Sequence, residues 1–302
     1  MPELPDIVVY LEALAPRVLG QPLERLVVGD PFVLRSVAPP PADLEGRRVE
    51  SLERIGKRLV LGLDSERFIV IHLMITGRLR WLPSAHPPSR PSARRPARPR
   101  GLAAFIFPTG TLLLTEAGSK RRAAIHLVEG RTGLAAFDRG GLEVMDASLE
   151  GFAARVRLEN HTLKRALTDP RLLSGIGNAY SDEILHRARL SPLQLTSRLD
   201  DGAMERLYRA ARDTLADWTA RLRAGTGTGF PEKVTAFRDG MAVHGRFREP
   251  CPVCGAPVQR IRYAENETNY CARCQTGGRV LADRSLSRLL RDDWPRSIDE
   301  LE

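Results

Sequence analysis

Apolar residues recur at helical spacing at the start of the chain, namely Ile7, Leu11, Leu14 and Val18. Residues three and four positions apart lie on one face of an α-helix, so this pattern predicts an amphipathic helix over residues 4–19. Gly20 follows as a helix stop signal. Pro2 and Glu3 suit the first turn of a helix, since proline lacks an N–H and an acid faces the positive end of the helix dipole. Helix capping is therefore the simplest interpretation of both residues.

Between residues 23 and 128 the pattern changes to short apolar runs that are typical of β-strands. The clearest runs are RLVLGL at 58–63, RFIVIHLMI at 67–75, LAAFIF at 102–107 and TLLLTEA at 111–117. Several strands joined by tight turns, such as FPTGT between the last two runs, predict a β-sandwich. The proline-rich segment 83–101 has too little apolar surface to fold alone, and it predicts a loop between strands.

Helical spacing returns beyond residue 147. It is found in SLEGFAARVRL at 148–158, HTLKRAL at 161–167, NAYSDEILHRARL at 178–190 and a stretch from about 200 to 224. The sequence therefore predicts an α+β fold in four parts. These are a helix with a β-sandwich at 1–130, a helical domain at 147–240, a small compact unit at 243–276 and an extension at 277–302. Leu286, Leu289 and Leu290 predict a short amphipathic helix in the extension.

The chain of 302 residues is 42% hydrophobic, which is enough for a substantial core. Its net charge of +9 favours a polyanionic partner. A GC-rich genome is a second explanation, because only four of the 46 basic residues are lysines. We find neither a run of 18 apolar residues nor a basic region followed by an apolar stretch at the N-terminus. A membrane span and a secretion signal are therefore not expected.

All four cysteines lie in two C-x-x-C pairs, Cys251 with Cys254 and Cys271 with Cys274, sixteen residues apart. Each pair can supply two thiolates to a tetrahedral zinc ion. Disulfides or a redox pair are the alternatives, and neither suits a chain without a secretion signal. Four thiolates fill the coordination shell, so the sequence predicts one structural Zn²⁺ ion.

Two further stretches carry candidate chemistry. RIGKRLVL places Lys57 in a turn between two predicted strands, and LLSGIGNAYSDEIL places Gly175 and Gly177 directly before Asn178. Glycines let a backbone approach a ligand closely, and amides at a helix start attract phosphate. Alone, G-x-G-N before a helix is a weak motif.

Together these stretches resemble the formamidopyrimidine-DNA glycosylase/endonuclease VIII family of bifunctional base-excision enzymes. The resemblance runs from MPELPD through RIGKRLVLGL, IHLMITGRLR, LKRALTDPRLLSGIGNAYSDEILHRARLSP and VHGR to the cysteine pairs. It implies an N-terminal helix with a β-sandwich, a helix–two-turns–helix DNA-binding domain and a zinc-finger β-hairpin, with damaged DNA held between them. It also implies DNA glycosylase and abasic-site lyase activity. We further expect a monomer in the cytoplasm, associated with the nucleoid, with no membrane contact and no small-molecule cofactor.

The resemblance changes the interpretation of Pro2. In this family the initiator methionine is removed, and the proline becomes an N-terminal nucleophile that attacks C1′ of the nucleotide. Glu3 would act as the acid that protonates the sugar ring oxygen. Asp6 would belong to the same catalytic group, although the family usually carries glutamate at this position.

The resemblance also assigns DNA contacts. Lys57 and Asn178 would grip phosphates around the everted nucleotide, with Gly175 and Gly177 in the loop before Asn178. Met74 would fill the gap left in the base stack, although a core methionine on a strand is the alternative. His72 is assigned to packing, and Arg121 would be the arginine of the family's Arg-x-Phe pair.

Two departures bear on the substrate. Ala123 stands where the family has the aromatic residue of that pair, and Asn266 stands where the zinc finger commonly has a phosphate-gripping arginine. Losing a wedge and a charged contact should weaken capture of a base from intact duplex. We therefore expect single-stranded, bulky or unpaired lesions rather than 8-oxoguanine in ordinary duplex DNA. A catalytically silent DNA-binding relative and an enzyme acting mainly as an abasic-site lyase are the alternative functions.

Overall fold

The computed structural model describes residues 1–84, 101–117, 121–232, 234–235, 237–263, 266–283 and 294–301. Most of the predicted loop at 83–101 and the predicted helix around Leu286 lie outside the described residues. The chain divides into two compact units. The first contains Met1–Arg139 and Thr219–Thr235, and the second contains Gly140–Trp218 and Ala236–Glu302. The four-part domain boundaries stay a prediction.

The first unit begins with helix α1, Leu4–Val18, as the hydrophobic pattern predicts. Its apolar face is buried, and Ile7, Tyr10 and Leu14 are fully buried in the core. Each Å² of apolar surface that is buried stabilises the fold by about 25 cal/mol, and this free energy holds the apolar face of the helix against the sheets. Phe230, from the segment Thr219–Thr235, lies with its ring centroid 5.6 Å from that of Tyr10.

The first unit also holds two four-stranded antiparallel sheets, ordered β1-β6-β7-β5 and β2-β3-β4-β8. The strands are β1 Arg25–Val28, β2 Val49–Ile55, β3 Arg58–Leu63, β4 Arg67–His72, β5 Gly77–Pro83, β6 Ala103–Phe107, β7 Gly110–Glu116 and β8 Ala124–Glu129. A short helix, α2, spans Gly130–Ala135. Side chains alternate between faces along each strand. Leu59, Ile71 and Leu114 therefore point into one core between the two sheets.

The second unit is mainly helical, with a small hairpin near its end. The helices are α3 Leu149–Val156, α4 Leu163–Thr168, α5 Asn178–Ala188, α6 Asp201–Thr226, whose last residues belong to the first unit, and α7 Ala272–Thr276. Strands β9, Gln259–Tyr263, and β10, Asn266–Tyr270, pair antiparallel. The α+β prediction is confirmed. Among the described residues, no helix has both the length and the apolar character that crossing a membrane would require.

Candidate active site and zinc site

The N-terminus carries two buried acids beside the first helix. Glu3 precedes α1 and Asp6 lies in its first turn, and the two residues are 1% and 4% exposed. The backbone N–H of Glu3 donates to Oδ2 of Asp6 over 2.8 Å. Such a bond satisfies an N–H that the helix itself cannot pair, and it fixes the backbone that presents Glu3. Asp6 is thus placed to orient Glu3 through its main chain.

The electrostatics join Met1, Glu3 and Lys57 in one site. Burial lowers the pKa of the Met1 ammonium, the nearby Glu3 carboxylate opposes this, and the charges of Arg78 and Lys57 add to it. Burial also lowers the pKa of the Lys57 ammonium, again against the Glu3 carboxylate. A lowered pKa leaves more of an amine unprotonated near neutral pH, which is what nucleophilic attack requires. An acid within interaction range can then move protons.

Strand pairing brings Lys57 and Met74 to the same end of one sheet. Lys57 lies in the turn between β2 and β3, and the next residue, Arg58, pairs with His72 at the end of β4. Met74 follows in a tight turn and has a left-handed backbone with φ of 52°. A Cβ on Gly77 would lie 2.3 Å from the carbonyl oxygen of Leu73, so this turn requires glycine.

The loop between β7 and β8 reaches the same end of the sheet, because Ala124 pairs with His72. Glu116 connects this loop to the Met74 turn. Its Oε1 accepts the Thr76 hydroxyl over 2.9 Å, and its Oε2 accepts the N–H groups of Arg122 and Ala123 over 2.9 and 3.1 Å. Sequence reasoning missed Glu116, because only the folded sheets show that these loops are neighbours.

Arg121 and Ala123 have different surroundings in that loop. Nη1 of Arg121 lies 2.6 Å from Oδ2 of Asp30 in an exposed ion pair. Ala123 is 2% exposed and belongs to the core between the sheets. Position 123 therefore offers the surface no side chain for insertion into DNA.

Arg78 is a second residue that the sequence analysis missed. Its Nη1 donates to the carbonyl oxygens of Gly77 and Ile75 over 2.6 and 3.2 Å, so it braces the turn that carries Met74. His72 is half-buried at the end of β4, and its pKa is lowered to about 4 by burial first and by nearby positive charges second. This imidazole is therefore neutral at pH 7.

In the second unit, the loop before α5 presents Asn178. Gly175 has φ of 80°, a backbone that favours glycine, and Gly177 directly precedes the first helical residue. Nδ2 of Asn178 donates to the carbonyl oxygen of Glu267 in β10 over 2.8 Å. Nζ of Lys164 donates to the carbonyl oxygen of Asn178 over the same distance. Both ends of Asn178 are thus held in place.

Lys164 belongs to a buried polar network that the sequence analysis did not predict. Its Nζ pairs with Oδ1 of the fully buried Asp182 over 2.5 Å. Oδ2 of Asp182 accepts the backbone N–H of Asn269 over 3.1 Å and lies 2.8 Å from Nδ1 of His244. In the sequence, only the scarcity of lysine, with four such residues in the chain, drew attention to Lys164. This network ties α4 and α5 to β10 and to the segment that precedes the cysteines.

The four cysteines form one cluster, with all their sulfur atoms within 4.8 Å of one another. The Cys251–Cys274 and Cys254–Cys271 sulfur pairs are 3.9 and 3.4 Å apart. A tetrahedral zinc ion with bonds of about 2.3 Å places its sulfur ligands ~3.8 Å apart, so the geometry fits zinc. The predicted structural Zn²⁺ site is confirmed by this donor set. Nε2 of His186, in α5, lies 3.3 Å from Sγ of Cys251.

Two arginines of the hairpin are engaged by one acid. Arg260 and Arg262 on β9 both contact Oε2 of Glu267, at 3.3 and 3.4 Å. Asn266, at the start of β10, is exposed. Position 266 therefore supplies no positive charge. The carboxylate of the next residue, Glu267, also offsets part of the charge of Arg260 and Arg262.

Three regions of the chain match known protein families. Residues 1–107 match the formamidopyrimidine-DNA glycosylase N-terminal domain. Residues 142–228 match the formamidopyrimidine-DNA glycosylase H2TH domain. Residues 248–277 match a zinc finger found in Fpg and IleRS.

Similar proteins cover almost the whole chain. A formamidopyrimidine-DNA glycosylase of Thermus thermophilus is 33% identical over 293 residues, 92% of this chain and 100% of the relative. The crystal structure of MutM (Fpg) protein from the same organism covers 91% of this chain and 98% of its own, with 32% identity and a TM-score of 0.73. The Lactococcus lactis Fpg in complex with an abasic site containing DNA has the same fold, with 21% identity, 91% and 99% coverage and a TM-score of 0.76.

Proposed function

The chain belongs to the formamidopyrimidine-DNA glycosylase family, and we propose that it excises damaged bases and then cuts the DNA strand through an N-terminal proline. The observation that carries this proposal is the grouping of the N-terminus, Glu3, Asp6 and Lys57 in the first unit. Two buried acids at the start of the chain, 1% and 4% exposed, make a poor core, but they suit covalent catalysis by an amine freed beside them.

After removal of Met1, the secondary amine of Pro2 would attack C1′ of the damaged nucleotide. The N-glycosidic bond breaks, the base leaves with its electron pair and takes up a proton, and the sugar remains joined to the proline. An α-amino group titrates near 8 and a lysine near 10.4, so at pH 7 about a tenth of the former is unprotonated against about 1 in 2,500 of the latter. These are the ordinary values, and they favour the terminal amine; burial also lowers the pKa of the Lys57 ammonium, so the preference over Lys57 is smaller in the folded protein.

The iminium that follows ring opening acts as an electron sink. It acidifies the C2′ proton, whose loss expels the 3′-phosphate by β-elimination, and a δ-elimination then releases the 5′-phosphate. Glu3 would protonate the sugar ring oxygen as the ring opens and then carry protons for the eliminations. We assign Asp6 to holding Glu3 in position, supported by its bond to the Glu3 N–H.

Lys57 and Asn178 would bind phosphates beside the everted nucleotide, which positions the DNA without reading its sequence. Gly175 and Gly177 would let the backbone before Asn178 approach a phosphate. Met74 and Arg121 would contact the bases at the lesion. The zinc ion fills its shell with four thiolates, so it stabilises the hairpin and takes no part in the chemistry.

We further propose damaged DNA as the partner of a cytoplasmic monomer. The favoured substrates are lesions in single-stranded or otherwise unpaired DNA. Two observations support this choice: Ala123 is a core residue, and Glu267 offsets part of the positive charge of Arg260 and Arg262 in the hairpin that carries Asn266. Extrusion of a nucleotide costs least where the base is already unpaired.

A lesion panel on single and double strands, scored separately for base release and nicking, tests this function. We expect oxidised pyrimidines in single strands to be released faster than 8-oxoguanine opposite cytosine, and the opposite order contradicts the substrate proposal. Borohydride should trap a covalent complex with wild-type protein but not with Glu3→Gln. Nicking of abasic sites without base release would favour the lyase alternative, and binding without trapping would favour a silent DNA-binding protein.

A further inference from the structure

Phe32 is an exposed aromatic residue at the edge of the first unit. It lies in a single 3₁₀ turn, Pro31–Val33, and its relative exposure is 77%. Oδ1 of Asp30 accepts the backbone N–H of Phe32 over 3.1 Å, so the turn has a defined start. A single exposed phenylalanine is common and needs no explanation by itself. This one lies beside the loop of Arg121, for which a DNA contact is proposed above.

Two contacts place Phe32 level with Ala123. On one side, Oδ2 of Asp30 pairs with Arg121 over 2.6 Å. On the other side, Leu34 forms a parallel bridge with Ile125, and the Arg35 N–H donates to the Ile125 carbonyl oxygen over 2.8 Å. The segment that carries Phe32 thus runs alongside residues 121–125. Phe32 lies two residues before Leu34, and Ala123 lies two residues before Ile125. Because the Leu34–Ile125 bridge is parallel, Phe32 and Ala123 occupy equivalent positions in the two neighbouring segments.

The two positions are complementary in size and exposure. Ala123 is small and buried in the core, whereas Phe32 is large and points to the surface beside the same arginine. We propose that Phe32 is the aromatic side chain that contacts DNA at this edge, stacking on the bases of duplex DNA next to Arg121. This inference rests on the proposed function, and it concerns the activity that the enzyme retains on duplex DNA beside its favoured unpaired substrates.

The charges around Phe32 fit a polyanion. Arg35 in the same segment, and Arg121 and Arg122 in the neighbouring one, are exposed. Asp30, the acid in the same turn, is paired with Arg121, and that pairing lowers the pKa of its carboxyl group. An apolar ring inserted at a base step of a duplex, with arginines beside it to contact phosphates, is a common way for a protein to hold deformed duplex DNA.

The consequence is a role for Phe32 that differs between substrates. In duplex DNA, a ring that enters or stacks beside the gap replaces contacts that the everted base had made. In a single strand no opposite base needs support. Loss of the ring should therefore lower the ratio of duplex to single-strand activity, by at least about fivefold if one base contact is lost.

The test compares Phe32→Ala and Phe32→Trp with Val37→Ala, a control in the same segment whose side chain is fully exposed. Borohydride trapping is timed on one abasic oligonucleotide, single-stranded and in duplex. We expect the duplex-to-single-strand ratio to fall at least about fivefold in Phe32→Ala and to be retained in Phe32→Trp and Val37→Ala. A ratio within about twofold of wild type in Phe32→Ala, or no duplex trapping by wild type, overturns the inference.

A second readout reports the contact itself. 2-Aminopurine placed opposite a tetrahydrofuran abasic analogue should change its fluorescence when wild-type protein binds, and this change should be smaller with Phe32→Ala. A fluorescence change as large with Phe32→Ala as with wild type would contradict the contact between Phe32 and the bases. Failure of the proposed function gives a different pattern, because wild type would then trap on neither the single strand nor the duplex.

Discussion

The buried pair between Lys164 and Asp182 offers a sharp test of the second unit. Lys164→Met keeps the length of the side chain and removes its charge. Asp182 is fully buried and would lose the partner of Oδ1, while Asn269 and His244 continue to contact Oδ2. The variant therefore leaves a buried carboxylate without its cation, and Asn178 loses the donor to its carbonyl oxygen.

Breaking a buried ion pair at one partner costs about 3–5 kcal/mol, because the remaining charge is desolvated and uncompensated. Two contacts to Oδ2 remain, so we expect the lower end, about 3 kcal/mol of unfolding free energy. DNA binding should also weaken, since Asn178 would be less well fixed.

Urea unfolding of the zinc-loaded protein measures this cost. Tryptophan fluorescence is a suitable probe, because Trp218 packs against Tyr180 in the second unit, with ring centroids 6.1 Å apart. The matched control is Arg209→Met, which removes an exposed i,i+4 pair with Glu205 and should cost under about 0.5 kcal/mol. A loss below about 1 kcal/mol in Lys164→Met, similar to the control, would refute the reasoning.

Three further predictions concern pH, zinc and the tight turn. The pKa of His72 is about 4 in the folded protein against 6.5 ordinarily, so the unfolded chain takes up this proton first and stability falls as pH drops from 6.5 towards 4. In His72→Gln, the free energy of urea unfolding should depend less on pH in that window, with a difference from wild type of about 3 kcal/mol at most. An unchanged pH dependence would contradict the lowered pKa of His72. His186→Leu removes a polar neighbour of a zinc-ligand thiol and should weaken zinc binding about tenfold in a chelator competition; an unchanged affinity would contradict a role for the imidazole in orienting that ligand. Gly77→Ala places a Cβ 2.3 Å from the Leu73 carbonyl oxygen and should cost about 1–3 kcal/mol in thermal unfolding, whereas Gly225→Ala, with open space around it, should be neutral or stabilising.

The sequence predicted those features that depend on neighbouring residues. The apolar spacing of α1, the turn that holds Lys57 and the two C-x-x-C pairs are all local patterns, and each is present in the structure. A short pattern specifies such elements because backbone geometry and metal coordination constrain residues that are close along the chain.

The remaining features join residues that are distant in the sequence. Asp30 meets Arg121 across 91 positions, and Thr76 meets Glu116 across 40. Likewise, Phe230 packs on Tyr10 although a long helical domain separates them. Such contacts depend on the order of the strands and on how the elements pack. Local patterns in a single sequence do not show either of these. The exposed Phe32 carried no signal before its neighbours were known.

The central claim is that the proline behind the initiator methionine forms the covalent bond to the sugar. Borohydride-trapped complex should be digested and its DNA-linked peptide sequenced by mass spectrometry, together with the intact mass of the active protein. We predict active protein without Met1 and an adduct on the nitrogen of Pro2. An adduct on Lys57, or full activity in protein that retains Met1, would contradict it.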